Sequence, residues 1–437
     1  MASENTVTTR RVVITGVGAV SPVGVGADVL FDSAVEGKCG IKPLEGEAYE
    51  AVNINVAGTV DGFDGTEHGL TKKQARRWER FVQYAVVAAD EAMTEAGFAK
   101  VAAEGEDGAT ESGFILPDGT DPTRFAVVFG SGIGGMEIFM NESIKMKEKG
   151  AKRVNPLFIP TMISNIAAGE LAIRYGLKGE CTDVVVACTT GTQCIGEAYR
   201  LIKYGLADYA LAGGTEESVC EIAIAGFANL GALSHSEDPE KASRPFDVER
   251  TGFVAGEGAG AVVLETLESA KARGAHIIAE IVGFGTSCDA YHITAPDPTG
   301  DGVVRAMRNA LDEAGLEPSD IGHLNAHGTS TQANDSTEAK AFCLLQGVEE
   351  SDIPVTSTKG MTGHMLGAAG AIEAIVTALS VANDVVPPTV GFEEADPECK
   401  VTVLKEARRD YPQKVALSNS IGFGGHNATL AIAPYKE

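Results

Sequence analysis

The apolar positions of this chain fall into two kinds of run. The first kind is short, continuous and closed by glycine, as in "RRVVITGVGAVSP" (10–22), "RFAVVFGSGIGG" (124–135) and "DYALAGGTEES" (208–218). Runs of this length beside glycine turns predict buried strands. The second kind spaces its apolar residues three and four apart. "RFVQYAVVAADEAMTEAG" (80–97) and "TGTQCIGEAYRLI" (190–202) both do so, and both predict helices. Between them, "VAAEGEDGATESGFILPDGTDPT" (101–123) is acidic and rich in turn residues, and predicts a surface insertion. "GEGAGAVVLET" (256–266) predicts a further buried strand that closes the first half of the chain.

The second half repeats the plan. "AHIIAEIVGFGTS" (275–287) matches the opening strand, and "DIGHLNAHGTST" (320–331) matches the strand that ends in "GSGIGG". "DIPVTSTKGMTGHMLGAAGAIEAIVTALS" (352–380) parallels "TDVVVACTTGTQCIGEAYRLIKYG" (182–205) as strand, small-residue loop and helix. "KVALSNSIGFGGHNATLAIAP" (414–434) parallels the strands that close the first half. The pattern predicts an α/β protein of two similar halves, 10–268 and 269–437, with a cleft where strand ends meet.

Composition narrows the function classes. Asp plus Glu number 61 against 35 Lys plus Arg, so a net charge of -26 disfavours nucleic acid and anionic membranes away from any local basic patch. No run approaches the length of a membrane span. The opening "MASENTVTTRR" lacks the apolar stretch of a signal peptide, and the 8 cysteines are scattered with no CxxC pair. A reduced, cytoplasmic protein is expected. Gly130, Gly132 and Gly135 satisfy a GxGxxG spacing, but no acidic residue closes a second strand about 20 residues on, where a dinucleotide ribose would need it. These glycines are read as allowing close backbone packing.

Among residues able to do chemistry, Cys188 in "VVVACTTGTQC" (184–194) lies where an apolar run meets a helix start. The positive end of that helix favours thiolate, so a lowered thiol pKa is expected there. Cys181 and Cys194 are read as packing. Two histidines share one context, His327 in "NAHGTST" and His364 in "TGHMLGAAG", each after a predicted strand and among residues small enough to admit a ligand. Lys359, five residues before His364, is a cation able to hold a neighbouring imidazole neutral, and Glu338 is an acid that could join it. Glu373 interrupts the apolar "GAAGAIEAIVTAL" and needs either a bound cation or an internal salt bridge.

Taken in order, "ACTTG", "AGGTEES", "SRPFDVERTGFVAGEGAG", "NAHGTST", "STKGMTGHMLGAAG" and "GFGGHN" make the chain resemble the β-ketoacyl-acyl-carrier-protein synthases of the elongating, Cys-His-His type of condensing enzyme. The likeness covers nearly the whole chain. It implies a thiolase-like fold, two βαβαβαββ halves stacked as five αβαβα layers, and usually a homodimer. It implies that Cys188 accepts the acyl chain, that His327 and His364 are the catalytic histidines, and that Lys359 and Glu338 support them. Phe423 matches the gating phenylalanine, and its N–H with that of Cys188 would form an oxyanion hole. Thr329 and Thr331 match residues that bind the pantetheine arm, and Ile133 falls where the acyl pocket is lined. Asn325, Glu373, Ser418 and Asn419 fall where some members hold a structural monovalent cation. The implied reaction is decarboxylative condensation of acyl-enzyme with malonyl thioester. Loss of CO2 generates the carbanion, so no cofactor is required.

The partner so implied is acyl-carrier protein, itself acidic. Two basic segments could receive it, "TKKQARRWER" (71–80) with Lys73, Arg76 and Arg77, and "KEKGAKRVNP" (147–156) with Lys152 and Arg153. Where the family often has another arginine, in "ALSHSEDPE", this chain has His235, Ser236 and Glu237. Thiolases need a second cysteine in the region of "GFGGHN", and the Cys-His-Asn synthases lack a histidine in place of His364. The non-catalytic chain-length subunits lack the nucleophile. A ketosynthase of a polyketide pathway is the remaining alternative to fatty-acid elongation.

Overall fold

The computed structural model describes residues 9–101, 110 and 112–436. Part of the expected 101–123 insertion lies outside these residues. What is described there includes a short ribbon, Lys100–Val101 against Phe114–Ile115. The principal elements of the first half are β1 (Val12–Ser21), α1 (Arg80–Glu95), β2 (Phe125–Gly130), α2 (Met136–Lys149), α3 (Ile166–Tyr175), β3 (Cys181–Thr182), α4 (Thr190–Lys203), β4 (Tyr209–Glu216) and β5 (Gly258–Thr266). The second half contains β6 (Ala279–Cys288), α5 (Asp301–Ala314), β7 (Ile321–Asn325), α6 (Gln332–Gln346), β8 (Ser351–Thr356), α7 (Ala369–Ala382), β9 (Val401–Val403), β10 (Val415–Gly422) and β11 (His426–Ala433).

Both halves follow one strand plan. The first runs β3-β2-β4-β5-β1 and the second β9-β8-β7-β10-β11-β6. In each, the opening strand pairs antiparallel with the closing strand, and the penultimate strand leads on into parallel partners. The opening strands also pair with each other, Val12 opposite Ile281 and Ile14 opposite Ala279, which joins the two sheets.

Alternation along the strands builds the layers, because successive side chains point to opposite faces. Ala126 and Val128 of β2 pack into a central core with Ile195 and Ile202 of α4 and Ile372 and Ile375 of α7. Phe125, Val127 and Phe129 point the other way, against Phe81 and Ala85 of α1 and Leu171 of α3. In the second half, Ala416, Leu430 and Ile432 face the central helices, while Leu417 and Ala431 face Met307 and Leu311 of α5 and Phe342 of α6. The layers are therefore helices, sheet, helices, sheet, helices. Fully burying one such aliphatic or aromatic side chain contributes about 1.5–3 kcal/mol. Being sandwiched explains why α7 is buried on nearly every face and largely apolar.

The duplication extends to small irregularities. Each opening strand shifts register at a bulge, between Ile14 and Gly16 in β1 and between Ile281 and Gly283 in β6. The N–H just beyond each bulge donates to a glutamate of the outer helix, Val17 to Glu95 at 2.7 Å and Phe284 to Glu313 at 2.8 Å. Both glutamates stand in "EAG", whose glycine, Gly97 or Gly315, takes the left-handed conformation that ends the helix. The glycines two residues beyond each bulge allow the helix to approach: a Cβ at Gly18 or Gly285 would lie 2.0 Å from the carbonyl oxygen of Ala88 or Ala306.

One local expectation is corrected. The run Val184–Val186 is not a buried strand. β3 stops at Thr182, Val186 leaves the extended region, and Val185 is 50% exposed. As the edge strand, β3 is paired on one side only, and Cys181 on it is exposed rather than packed.

Candidate active site

Cys188 sits in the one-turn 3-10 helix Ala187–Thr189 that leads into α4. Ala187 is held at a φ of 52°, an uncommon conformation for a residue with a side chain. The sharp turn brings the sulfur to the wall of a cavity of about 410 Å³. His327, on the loop after β7, and His364, in the loop between β8 and α7, line the same cavity. Their rings are 5.1 Å apart and nearly perpendicular, and Phe253 packs edge-on against His364. The nucleophile thus comes from the first half and both imidazoles from the second. Phe423, Thr329, Thr331 and Ile133 also line this cavity. Thr329 and Thr331 hold each other at 2.9 Å. Phe423 begins a three-residue turn between β10 and β11, in which Gly424 and Gly425 both have positive φ.

Lys359 and Glu338 stand behind the cavity wall. The fully buried ammonium of Lys359 donates to Nδ1 of His327 at 3.2 Å and makes a short ion pair with Glu373. With Nδ1 accepting, the ring hydrogen of His327 is on Nε2. Burial, the Lys359 charge and the neighbouring imidazole hold His327 well below the usual histidine range. Burial and Lys359 do the same for His364. Both rings are therefore neutral at neutral pH. Glu338 does not reach Lys359. It accepts from the N–H of His327 at 2.8 Å and of Gly328 at 2.9 Å, and so clamps the backbone of the histidine loop.

The thiol differs from expectation. Burial pushes Cys188 up to about 11, although the Lys359 charge and the backbone N–H groups of Phe423 and of Cys188 itself oppose this. Desolvation of a thiolate in an enclosed site outweighs the helix end on which the expectation of a lowered value was based. The backbone N–H groups of Phe423 and Cys188 thus lie close to the sulfur.

The four residues expected at a cation divide. Asn325 stands beside Ser418 in the β7–β10 register and donates its amide to the main-chain oxygen of Glu373 at 3.2 Å. Ser418 Oγ and Glu373 Oε2 are buried with no protein partner among the described residues. Oxygens of this kind fit a hard monovalent cation. Asn419 is engaged elsewhere: its amide donates to Glu338 and its oxygen accepts from Thr429 at 2.7 Å.

Of the basic residues, Lys73, Arg76 and Arg77 lie on the short helix Lys72–Arg77, and Lys152 and Arg153 on the turn Ala151–Arg153. Arg77 is tied to the buried Glu170 at 2.6 Å, so its charge is partly committed inside the protein.

The residue that motif reading passed over is Glu216, the last residue of β4. It is fully buried and receives four hydrogen bonds, from Ser131 Oγ and the N–H groups of Gly132, Ile133 and Gly367. Burial pushes it up to about 7 against those four bonds. An acid closing an otherwise apolar buried strand was the available signal. Of the three fingerprint glycines, Gly132 donates to this internal carboxylate, whereas the N–H of Gly135 donates to the carbonyl oxygen of Met162 at 2.8 Å.

Comparison with known proteins follows this geometry. The sequence matches the family described as "Beta-ketoacyl synthase, N-terminal domain" over residues 9–270 and "Beta-ketoacyl synthase, C-terminal domain" over residues 278–393. The chain belongs to the β-ketoacyl synthase family. It is 46% identical to 3-oxoacyl-[acyl-carrier-protein] synthase 2 of Staphylococcus aureus (strain N315), covering 98% of this chain and 99% of that one. It is 43% identical to the enzyme of the same name from Synechocystis sp., covering 98% and 99%. Among solved structures, a beta-ketoacyl synthase from Burkholderia phymatum superposes with a TM-score of 0.86 at 34% identity, covering 98% of this chain and 100% of that one. The ketosynthase of a type II PKS, solved with its acyl-carrier protein and bound to the hexaketide, gives a TM-score of 0.87 at 31% identity, covering 98% and 100%. These likenesses bear out the thiolase-like α/β fold expected from the sequence.

Proposed function

We propose that this chain is a 3-oxoacyl-acyl-carrier-protein synthase, an acyltransferase that elongates fatty acids. One observation carries the reading: a cysteine from one half and two neutral imidazoles from the other line a single cavity, with a buried lysine fixing the tautomer of one ring. Cys188 attacks an acyl thioester, the C–S bond to the carrier breaks, the carrier leaves as its thiol with the proton given up by Cys188, and the acyl group is held on the enzyme. Malonyl thioester then enters and loses CO2. Negative charge builds on its thioester oxygen, where Nε2–H of His327 is a donor, with His364 beside it. The resulting enolate carbon bonds to the acyl carbonyl carbon. The new oxyanion lies against the N–H groups of Cys188 and Phe423, the bond to sulfur breaks, and the thiolate returns. No step calls for a redox cofactor.

A structural monovalent cation would be held by Asn325, Glu373 and Ser418, where it would keep Glu373 ionised. It has no part in bond making. The partner is acyl-carrier protein, received by Lys73, Arg76, Arg77, Lys152 and Arg153, Arg77 with part of its charge. A related ketosynthase was solved with such a carrier. A homodimer is supported by the open edge of β3 and by exposed apolar residues of the first half, including Ile133, Phe139, Ile159 and Val185. Helix α2 contributes no buried residue to its own protomer. The enzyme works in the cytoplasm, in line with its unpaired cysteines and with the absence, among the described residues, of a helix long and apolar enough to cross a membrane.

The fatty-acid assignment over a polyketide one follows the higher identity to the 3-oxoacyl synthases. The test is intact mass of the enzyme after incubation with acyl-carrier protein, followed by a product profile with malonyl-carrier protein. An acyl adduct on Cys188 and fully processable 3-oxoacyl products support the proposal. No adduct would refute catalysis, and poly-β-keto products would move the enzyme to the polyketide pathway.

A further inference from the structure

Three chain segments from both halves meet at one carboxylate beside the active-site cavity. Glu216 ends β4. Oε2 accepts from Gly132 N at 2.9 Å and Gly367 N at 3.0 Å, while Oε1 accepts from Ser131 Oγ at 2.8 Å and Ile133 N at 3.3 Å. Ser131 Oγ in turn accepts from Gly134 N at 2.8 Å, which closes the turn around the acid. The segments are too close for side chains: a Cβ on Gly367 would lie 2.4 Å from Gly132 N and 2.7 Å from Glu216 Oε2. Next to Gly367, Leu366 is held at a φ of 44° and lines the cavity, as do Gly132 and Ile133. Glu216 itself does not line it.

We infer that Glu216 is a positioning residue that sets the shape of the acyl cavity, and through it the choice of acyl chain, by pinning the Ile133 loop of one half to the Leu366 loop of the other. The inference rests on the condensing-enzyme reading. Its physical basis is the donor count. Three of the four partners are backbone N–H groups, which cannot turn away, and the carboxylate that they hold is fully buried. No residue outside this carboxylate links the two loops through a side chain among the described residues. A carboxylate accepts at both oxygens, whereas an amide of the same shape presents an NH2 to donors on one side. Glu216→Gln therefore preserves volume and turns an NH2 either toward Gly132 and Gly367, which breaks the tie between the loops, or toward Ser131 and Ile133, which frees the Ile133 turn. The cavity wall then loosens at Ile133, Leu366 or both, while Cys188, His327 and His364 keep their own supports.

The experiment compares wild type, Glu216→Gln and Ser131→Ala in acylation of Cys188 by a series of short, medium and long acyl-carrier thioesters, read by intact mass, with thermal unfolding measured in parallel. Glu216→Gln is expected to change the ratio of long- to short-chain acylation rates by at least about tenfold, the scale of one charged hydrogen bond. Ser131→Ala should move the ratio the same way by less, since it leaves the three N–H bonds. A merely destabilised enzyme loses active molecules and scales every substrate alike, so a uniform loss with an unchanged ratio overturns the inference. If Glu216→Gln does not fold, the Ser131→Ala ratio decides, and an unchanged ratio there is likewise a refutation. Failure of wild type to acylate at all would count against the proposed function and is distinguishable from either result.

Discussion

Replacing Lys359 with methionine isolates the buried cation behind the histidines. The new side chain is of similar length and apolar, so packing changes little, but two charged contacts disappear. Glu373, about 1% exposed, loses its ion partner, and His327 Nδ1 loses its donor. Breaking one half of a buried pair costs about 3–5 kcal/mol, unless the stranded acid takes up a proton. Glu373 is already pushed up to about 7 by burial, against the opposing Lys359, so without the lysine its value rises further. The sign follows from proton binding. An acid with a raised value in the folded state binds protons more tightly folded than unfolded, so stability falls as pH rises from the ordinary carboxylate range to the raised folded value. The variant should therefore be close to wild type near pH 5 and lose about 3 kcal/mol near pH 9. Urea unfolding at the two pH values measures this, and the double variant Lys359→Met/Glu373→Gln should recover most of the loss at high pH. Catalysis should not recover with it. With Nδ1 free, the hydrogen of His327 is no longer fixed on Nε2, and condensation should fall by about two orders of magnitude in both variants. Equal stability of wild type and the single variant at both pH values, or condensation restored in the double variant, would refute the assignment of Lys359 as the group that fixes the ring.

Three further outcomes are expected. His327→Ala should lose condensation by about two to three orders of magnitude while Cys188 still takes up an acyl group by mass spectrometry, and full condensation would remove the ring from the mechanism. Alkylation of Cys188 in the free enzyme should quicken about tenfold per pH unit between pH 7 and 9, because the thiol titrates near 11; a plateau below pH 8 would contradict burial as the dominant cause. Arg76→Glu should weaken use of carrier-bound substrate severalfold at low salt and leave a small soluble thioester unaffected. Arg77→Glu is the poorer probe, since it sets a carboxylate against the buried Glu170.

The repeat could be seen in the sequence because each half must solve the same packing problem. "ITGVG" and "IVGFG" both need glycines where a helix carbonyl crosses the strand, and that requirement is local. Cys188, His327 and His364 could be picked out because reactive side chains stood among small residues after apolar runs. Their convergence could not be read in the same way: Cys188 and His364 are separated by the depth of a domain along the chain and meet only because the two sheets share the helices α4 and α7. The same limit applies to electrostatics. Sequence placed Cys188 at a helix start, which favours thiolate, whereas its enclosure, a property of the folded cavity, pushes the thiol the other way. The length of β3 depended on its being an edge, which no local pattern states. Glu338 and Glu373 were visible as acids, but which of them meets Lys359 was decided by the helices that carry them. Local order thus followed from period, glycine placement and turn chemistry, all short-range properties of the chain. Partners and protonation states waited on the fold, because they depend on distance and on exclusion of water, and neither is defined until the layers close.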